Sequence, residues 1–221
     1  MLGGSFIAPY SVAEGVEADL KTIVIGLFHF GTRVAATLQE MHIPQLEVYA
    51  IDYHEQQDDR LPSSHHFGVT EGWWFRGEEL NGYFSKFVYE AIHRRSGISP
   101  GIANRVLIIV DLGHDVGGDT VEAIMKLILH DGVPVEVVAH IPDVYFVPLE
   151  ADPVEFIACA RLSAIKTLED WEERGIAVEA DDYRDMIRSM YSETALGETV
   201  AKSERLLTKM AFRRLSIMGL E

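Results

Sequence analysis

Basic side chains are scarce in this chain: 19 Lys and Arg face 35 Asp and Glu across 221 residues, a formal charge of −16 with a pI near 4.9. Such a surface repels phosphate, which argues against nucleic acid and against anionic membranes as partners. Neutral or basic partners, or partners bridged by a cation, are expected instead. Cysteine is nearly absent. The single Cys159 excludes an internal disulfide, and its place in an apolar helical pattern, with no activating group beside it, predicts a buried and inert thiol. No apolar run approaches a membrane span, and residues 1–20 lack the basic start and apolar core of a signal peptide. A soluble, cytoplasmic protein is the expectation. Two catalytic fingerprints are missing as well. There is no G-x-S-x-G elbow and no suggestion of a Cys and His pairing, which leaves a nucleophilic hydrolase without support. The G-x-G-x-x-G dinucleotide fingerprint is absent after the first strand, where Phe28 and Phe30 take the space that a pyrophosphate would need.

What is present is enough apolar material for a substantial core, 48% of the residues. The stretch Arg105 to Gly132 organises it. Val106 to Val110 is a short β-branched run of the kind buried on both faces of a parallel sheet. After a loop holding Gly113, Gly117, Gly118, Asp115, Asp119 and Thr120, apolar residues recur at Val121, Ile124, Met125 and Ile128, one face of a helix, and Gly132 supplies a stop. Such a loop lies at the carboxyl end of a strand and the amino end of a helix, where α/β proteins bind ligands. It serves equally well as a tight turn with Asp119 or Thr120 capping the helix.

The rest of the chain repeats the pattern. Lys21 to Leu27 reads as a first buried strand, followed by a loop over Gly26 to Gly31 and a helix carrying Val34, Leu38 and Met41. Leu46 to Asp52 makes a second strand, with Asp52 placed either to meet a ribose or to cap a turn. His54 to Thr70 has no sustained period and reads as loop with at most one edge strand, and His65-His66 beside Asp58 and Asp59 as solvated. Trp73, Trp74 and Phe75 precede a helix, and either pack beneath a loop or form a partner patch. Pro134 to Ala139 is another strand. Asp152 as N-cap and Pro153 at the first helical position open a helix with Val154, Ile157, Leu162, Ile165 and Leu168 inward, ended by Gly175. A strand at Ile176 to Glu179, the acidic turn Asp181-Asp182 and a long helix from about Gly197 to Met218 complete the chain. Leu207, Met210, Ala211, Leu215 and Met218 form its apolar stripe. The fold class is α/β: a doubly wound, mostly parallel, Rossmann-like three-layer sheet with a long C-terminal helix. It forms a single domain over 1–221, with 1–20 as an N-terminal extension.

If the first and central strands are neighbours, His29, His114 and Asp115 converge at their carboxyl ends, a donor set that suits zinc, iron or manganese. A small metal- or cofactor-dependent enzyme would follow. The alternative is histidines making loop hydrogen bonds.

The order of elements resembles the nucleotide-binding domain of the FtsZ and tubulin superfamily. Aligned through the flanking strand and helix, Asp115 to Val121 read D-V-G-G-D-T-V against that family's G-G-G-T-G-[ST]-G, so Gly117 and Thr120 match and Gly118 takes the threonine position. In the first loop Gly26 and Gly31 remain, with Thr32 in the place of a base-contacting asparagine. Asp181-Asp182 stand where the family has an N-D pair facing guanine. Glu150 takes the acidic position of an E-G-x-x-R stretch whose glycine and arginine are replaced by Ala151 and Val154. The resemblance implies GTP or GDP, with Mg²⁺, as the ligand, and self-association or a protein partner as the mode of action. It also implies no hydrolysis by this chain alone, since the second domain and activating loop of that family lie beyond Glu221.

Electrostatics weakens the nucleotide expectation. A helix amino terminus favours an anion by roughly 0.3 to 1 kcal/mol. A carboxylate about 4 Å from a phosphate charge costs about 1 kcal/mol in water and up to about 4 at an effective dielectric of about 20. Asp115 and Asp119 both stand in the central loop, while valines at 116 and 121 replace glycines that would let backbone N–H groups close on phosphate. Arg76 is the one basic residue that could be placed toward such a ligand, and as a surface arginine it needs none. Weak or absent triphosphate binding is expected, as is Phe28 and Phe30 filling the emptied pocket.

Overall fold

The computed structural model describes residues 21–53, 58–69, 90–92, 94, 105–112, 117–130, 132–141, 153–181 and 193–217. Among the described residues are six strands: β1 (Thr22–Leu27), β2 (Leu46–Tyr53), β3 (His66–Val69), β4 (Arg105–Asp111), β5 (Val135–His140) and β6 (Ala177–Asp181). Four long helices accompany them: α1 (Phe28–Glu40), α2 (Gly117–His130), α3 (Pro153–Glu173) and α4 (Glu193–Ile217). The strands lie in the order β3-β2-β1-β4-β5-β6, every pairing parallel.

Alternation along the strands divides the core into two halves. Ile23, Ile25 and Leu27 of β1, with Val106, Ile108 and Val110 of β4, face Val121, Ile124, Met125 and Ile128 of α2 and Ala164, Leu168 and Trp171 of α3. Val24, Leu107 and Ile109 face the other way, onto Val34, Ala35 and Leu38 of α1 and Leu207, Met210, Ala211 and Leu215 of α4. Strands covered on both faces need apolar interiors, and β1 over Ile23–Leu27 and β4 over Val106–Val110 have them. The expected three-layer, doubly wound architecture is therefore the observed one, long final helix included.

Helix ends follow from the glycines. Gly132 and Gly175 have φ of 73° and 78°. In each case the following residue reaches back five positions, Val133 to Ile128 and Ile176 to Trp171, while the glycine N–H reaches back three. Those are the paired bonds of a Schellman cap, and Val133 and Ile176, the apolar residues that follow the two glycines, are buried.

Several expectations are corrected. The loop expected over Gly26 to Gly31 is shortened to a turn at Phe28 and His29, whose φ are positive, between β1 and the regular part of α1, and Met41 lies beyond the end of that helix and is half exposed. His66 is a buried residue of edge strand β3 rather than part of a solvated loop, and His65 stacks on Tyr49 with ring centroids 4.7 Å apart. On α3 the buried positions 164, 168 and 171 define a stripe that Leu162 and Cys159 miss by well over a quarter turn. Leu162 is 67% exposed and Cys159 is exposed, not buried. Asp181 is the last residue of β6, opposite His140, and the rest of the expected acidic turn lies outside the described residues. The last helix starts at Glu193, one turn before Gly197. No helix among the described residues is long and apolar enough to cross a membrane.

Candidate functional site

The sheet reverses its winding between β1 and β4, and the carboxyl ends of those strands and their neighbours form the candidate site. Leu27 ends β1 opposite Ile51 of β2 and Val110 of β4. Asp52 and Asp111 therefore stand one residue farther along, on either side of the point where β1 becomes α1. Both are 1% exposed. By alternation they point to the α1 and α4 face.

The junction itself is tight. Leu27 occupies the N-cap position and makes no side-chain capping bond. Phe28 has φ of 54°, and His29 has φ of 26° with ψ of −96°, conformations that side chains beyond glycine adopt only under constraint. The constraint is visible in where the rings go. Phe28 is buried in the α2 and α3 half of the core and Phe30 in the α1 and α4 half, so the two residues flanking His29 anchor the turn on opposite sides of the sheet.

Gly26 and Gly31 are required by packing. A Cβ on Gly31 would lie 2.4 Å from the Ile109 carbonyl oxygen, and one on Gly26 would lie 2.3 Å from the Gly31 carbonyl oxygen and 2.6 Å from the Ala35 Cβ. The absence of both methylene positions lets α1 sit directly on β1 and β4. The space beside these glycines is filled by the chain's own backbone.

Beneath Phe30 lies a buried polar pair. Asp111 and His140 are opposite one another on β4 and β5, and the His140 Nδ1–H donates to Asp111 Oδ1 at 3.3 Å, each side chain 1% exposed. The Phe30 ring covers the imidazole, with centroids 4.6 Å apart. The pair escaped the sequence reading, although a signal was there: each residue is the first polar side chain after an apolar strand run.

On the outer side of α1 a cavity of ≈ 420 Å³ opens between α1, the end of β2 and the segment before β3. His29, Thr32 and Arg33 line it from the helix, Asp52 from the strand, and Asp58, Asp59 and Arg60 from the segment. Arg60 grips Asp58 through two bonds, Nε to Oδ1 at 2.8 Å and Nη2 to Oδ2 at 2.6 Å, and its Nη1 donates to Thr37 Oγ1 at 3.0 Å. The hydrogen-bonded guanidinium holds the Asp58 carboxyl below the usual carboxylate range, against the opposing effect of burial, and Asp58 in turn raises Arg60. Arg33 pairs with Glu204 of α4, Nε to Oε2 at 3.0 Å.

Of the residues expected at a site, Gly26, Gly31, Thr32 and His29 are brought to this edge. Gly117, Gly118 and Thr120 form the first turn of α2, after neighbouring β4, and Asp181 ends β6. Gly113, His114, Asp115 and Glu150 lie outside the described residues, as do Arg76, Trp73, Trp74, Phe75 and Asp182. Among the described residues no group of three or more His, Cys, Asp or Glu could hold a metal ion. In the described part of the site, backbone fills the space beside Gly26 and Gly31, Phe28 and Phe30 are buried at the helix start, and Asp52 and Asp111 are buried on either side of it.

The sheet order, its two-sided helix layers and the long last helix together give the chain the fold of the tubulin and FtsZ nucleotide-binding domain. CetZ from Methanosaeta thermophila strain DSM 6194 superposes with a TM-score of 0.63 at 12% identity, over 90% of this chain and 54% of that protein. TubZ of Bacillus thuringiensis serovar israelensis, solved as GDP-form protofilaments, gives 0.54 at 14% identity over 87% of this chain and 54% of its own. An empty FtsZ dimer from M. jannaschii gives 0.57 at 15% identity, over 87% and 54% respectively. This chain thus spans little more than half the length of those proteins. No family model and no curated protein matches it.

Proposed function

We propose that the chain is a divergent FtsZ/tubulin-like domain, one unit over 1–221, that works in the cytoplasm by associating with itself or with a protein partner. It holds a guanine nucleotide, with Mg²⁺, weakly at most and does not hydrolyse one on its own. One observation carries this reading: the strand-to-helix junction that would face a nucleotide is packed with Phe28, Phe30 and the backbone around Gly26 and Gly31. The scaffold is kept while the described part of the pocket is used for packing. Association is the activity left to it, and two proteins of the same fold were solved as protofilaments and as a dimer.

The test combines two measurements on the purified full chain. Sedimentation across a hundredfold concentration range, with and without GTP and Mg²⁺, should reveal concentration-dependent association, or a complex with a supplied partner, that nucleotide leaves largely unchanged. Denaturation followed by chromatography and elemental analysis should release no stoichiometric guanine nucleotide. Tightly held GDP would overturn the reading in favour of a working nucleotide switch, and a stoichiometric transition metal would favour the small metal-dependent enzyme instead.

A further inference from the structure

Positive charge is concentrated on the outer face of α4. From Arg205 to Ile217 the chain carries Arg205, Lys209, Arg213 and Arg214 and none of its 35 acidic residues. Arg205, Lys209 and Arg213 recur every fourth residue, so they share one side of the helix, and all three are exposed. Leu206, Phe212 and Ile217 flank them at 37%, 42% and 66% exposure. Leu207, Met210, Ala211 and Leu215 seat the opposite side on the sheet. The outer side of such a helix is ordinarily polar throughout; here basic and apolar groups alternate along it.

The complement lies across the sheet, on α3. Leu162, 67% exposed, is accompanied by exposed Ala158 and Cys159, and Glu169, Asp170, Glu172 and Glu173 follow, all exposed. Glu169 and Glu173 come about two and three helical turns after Leu162 and so share its side, away from the buried Ala164, Leu168 and Trp171. If the two helices are laid antiparallel, Leu162 falls against Ile217, and Glu169 and Glu173 fall against Lys209 and Arg205. Lys166 then comes opposite Arg213, whose charge Glu179 of its own chain already meets.

We propose that the outer face of α4 in one copy of the chain docks on the outer face of α3 in the next. This contact presupposes the self-association proposed above and assigns it two surfaces. Because α3 and α4 cover opposite faces of the sheet, the contact is heterologous: each copy keeps one face open, so copies add in a row. The net charge of −16 on each copy opposes approach, but at physiological ionic strength it is screened beyond about 8 Å, whereas pairs covered at the contact are screened far less. The same net charge disfavours an anionic bilayer as the occupant of α4, since a bilayer also faces the acidic surface around the helix. Helix faces about 18 Å long bury less than the about 1,200 Å² of a standard interface, so association is expected at high concentration.

Sedimentation of the full chain over a wide concentration range tests the contact, with urea midpoints as the folding control. Lys209→Glu and Glu169→Lys should each weaken self-association about tenfold, because an attraction becomes a repulsion, and should leave the midpoint unchanged, both positions being exposed. An equimolar mixture of the two variants retains one intact α3 face and one intact α4 face, so it should form a dimer of parental strength that grows no further. Both substitutions in one chain should restore growth. A mixture no stronger than its components would overturn the pairing of these two faces. Parental association in both single variants would overturn the contact and move self-association to another surface. No association of the parent at any concentration would overturn it and leave only a protein partner. Lys209-dependent flotation with phosphatidylserine vesicles, without self-association, would overturn it in favour of a lipid surface.

Discussion

Substituting Gly31 by alanine tests whether this glycine serves packing or a ligand. The new Cβ would stand 2.4 Å from the Ile109 carbonyl oxygen, short of a comfortable carbon–oxygen approach by about 1 Å. The obstacle is backbone in the middle of the sheet, so no rotamer change relieves it. Helix α1 must lift off β4, and a radial gap of 0.5 to 1 Å forfeits roughly a quarter to a half of each dispersion contact it opens, here around Phe30, Val34 and Ala35. Overpacking of this kind costs about 3 kcal/mol, a large part of a total stability of about 5 to 15 kcal/mol. With a urea slope of about 2 to 3 kcal/mol per molar, the midpoint should fall by about 1 to 1.5 M.

Gly132→Ala is the matched control. Its Cβ would meet nothing within 4 Å, but its φ is 73°, so only the left-handed conformation is penalised, by about 1 kcal/mol and about 0.5 M of urea. Equilibrium unfolding by circular dichroism and tryptophan fluorescence reads both variants. If Gly31→Ala unfolds at the parental urea concentration, α1 is not seated on β4 as described. The glycine would then be free to serve a ligand, and the packing argument for a closed site would collapse.

Asp111→Ala should destabilise the protein by about 3 kcal/mol, because it strips the buried His140 of its carboxylate under Phe30; a change below about 1 kcal/mol in the same denaturation assay would mean that the pair contributes little. Asp58 and Glu122 both titrate below the usual carboxylate range, the first through hydrogen bonds from Arg60, the second through those from Lys126 and Arg174. Depressed folded-state values add stability that is complete above the unfolded pKa and is lost as pH falls through the folded one, so their contribution should begin to fall below about pH 4 and be gone only at more acid pH. Asp58→Asn should flatten that part of a Tm-versus-pH curve, and an unchanged slope would argue against the Arg60 contact. Leu162→Gln should be neutral within about 0.5 kcal/mol, whereas Leu168→Ala on the buried stripe of α3 should cost about 2 to 4. Similar losses from both would put the helix in a different rotation.

The parts of the fold legible in the sequence are those where one local pattern decides the outcome. The short apolar runs ending at Leu27, Val110 and Ala139 read as strands and are strands, and the spacing of Val121, Ile124, Met125 and Ile128 marked which side of α2 is buried. Gly132 and Gly175 marked helix ends because the left-handed position after a helix favours glycine. Where two patterns compete, inference went astray. Six residues from Gly26 to Gly31 look like a loop, and nothing local says that Phe28 and His29 take positive φ to bend the chain directly into a helix. Leu162 and Ile165 fit one helical stripe as well as Ala164 and Trp171 fit another, and only the sheet chooses between them. Of the site, Thr32 and His29 were identified as candidates, but Asp111 with His140, and Arg60 with Asp58, needed the topology or the side-chain geometry to become partners.

Glycine retention also bears on how far the likeness to tubulin and FtsZ reaches. In a phosphate-binding loop, glycines are selected for close approach of backbone to ligand. Between a strand and a helix lying on it, they are selected for close approach of backbone to backbone. Gly26 and Gly31 satisfy the second demand completely, since each would place a Cβ within 2.4 Å of a carbonyl oxygen of the protein itself. Their persistence is therefore what the fold requires whether or not a nucleotide is bound. Between them, Phe28 and Phe30 anchor the junction in opposite halves of the core, so the turn is held by the same close packing that the two glycines permit.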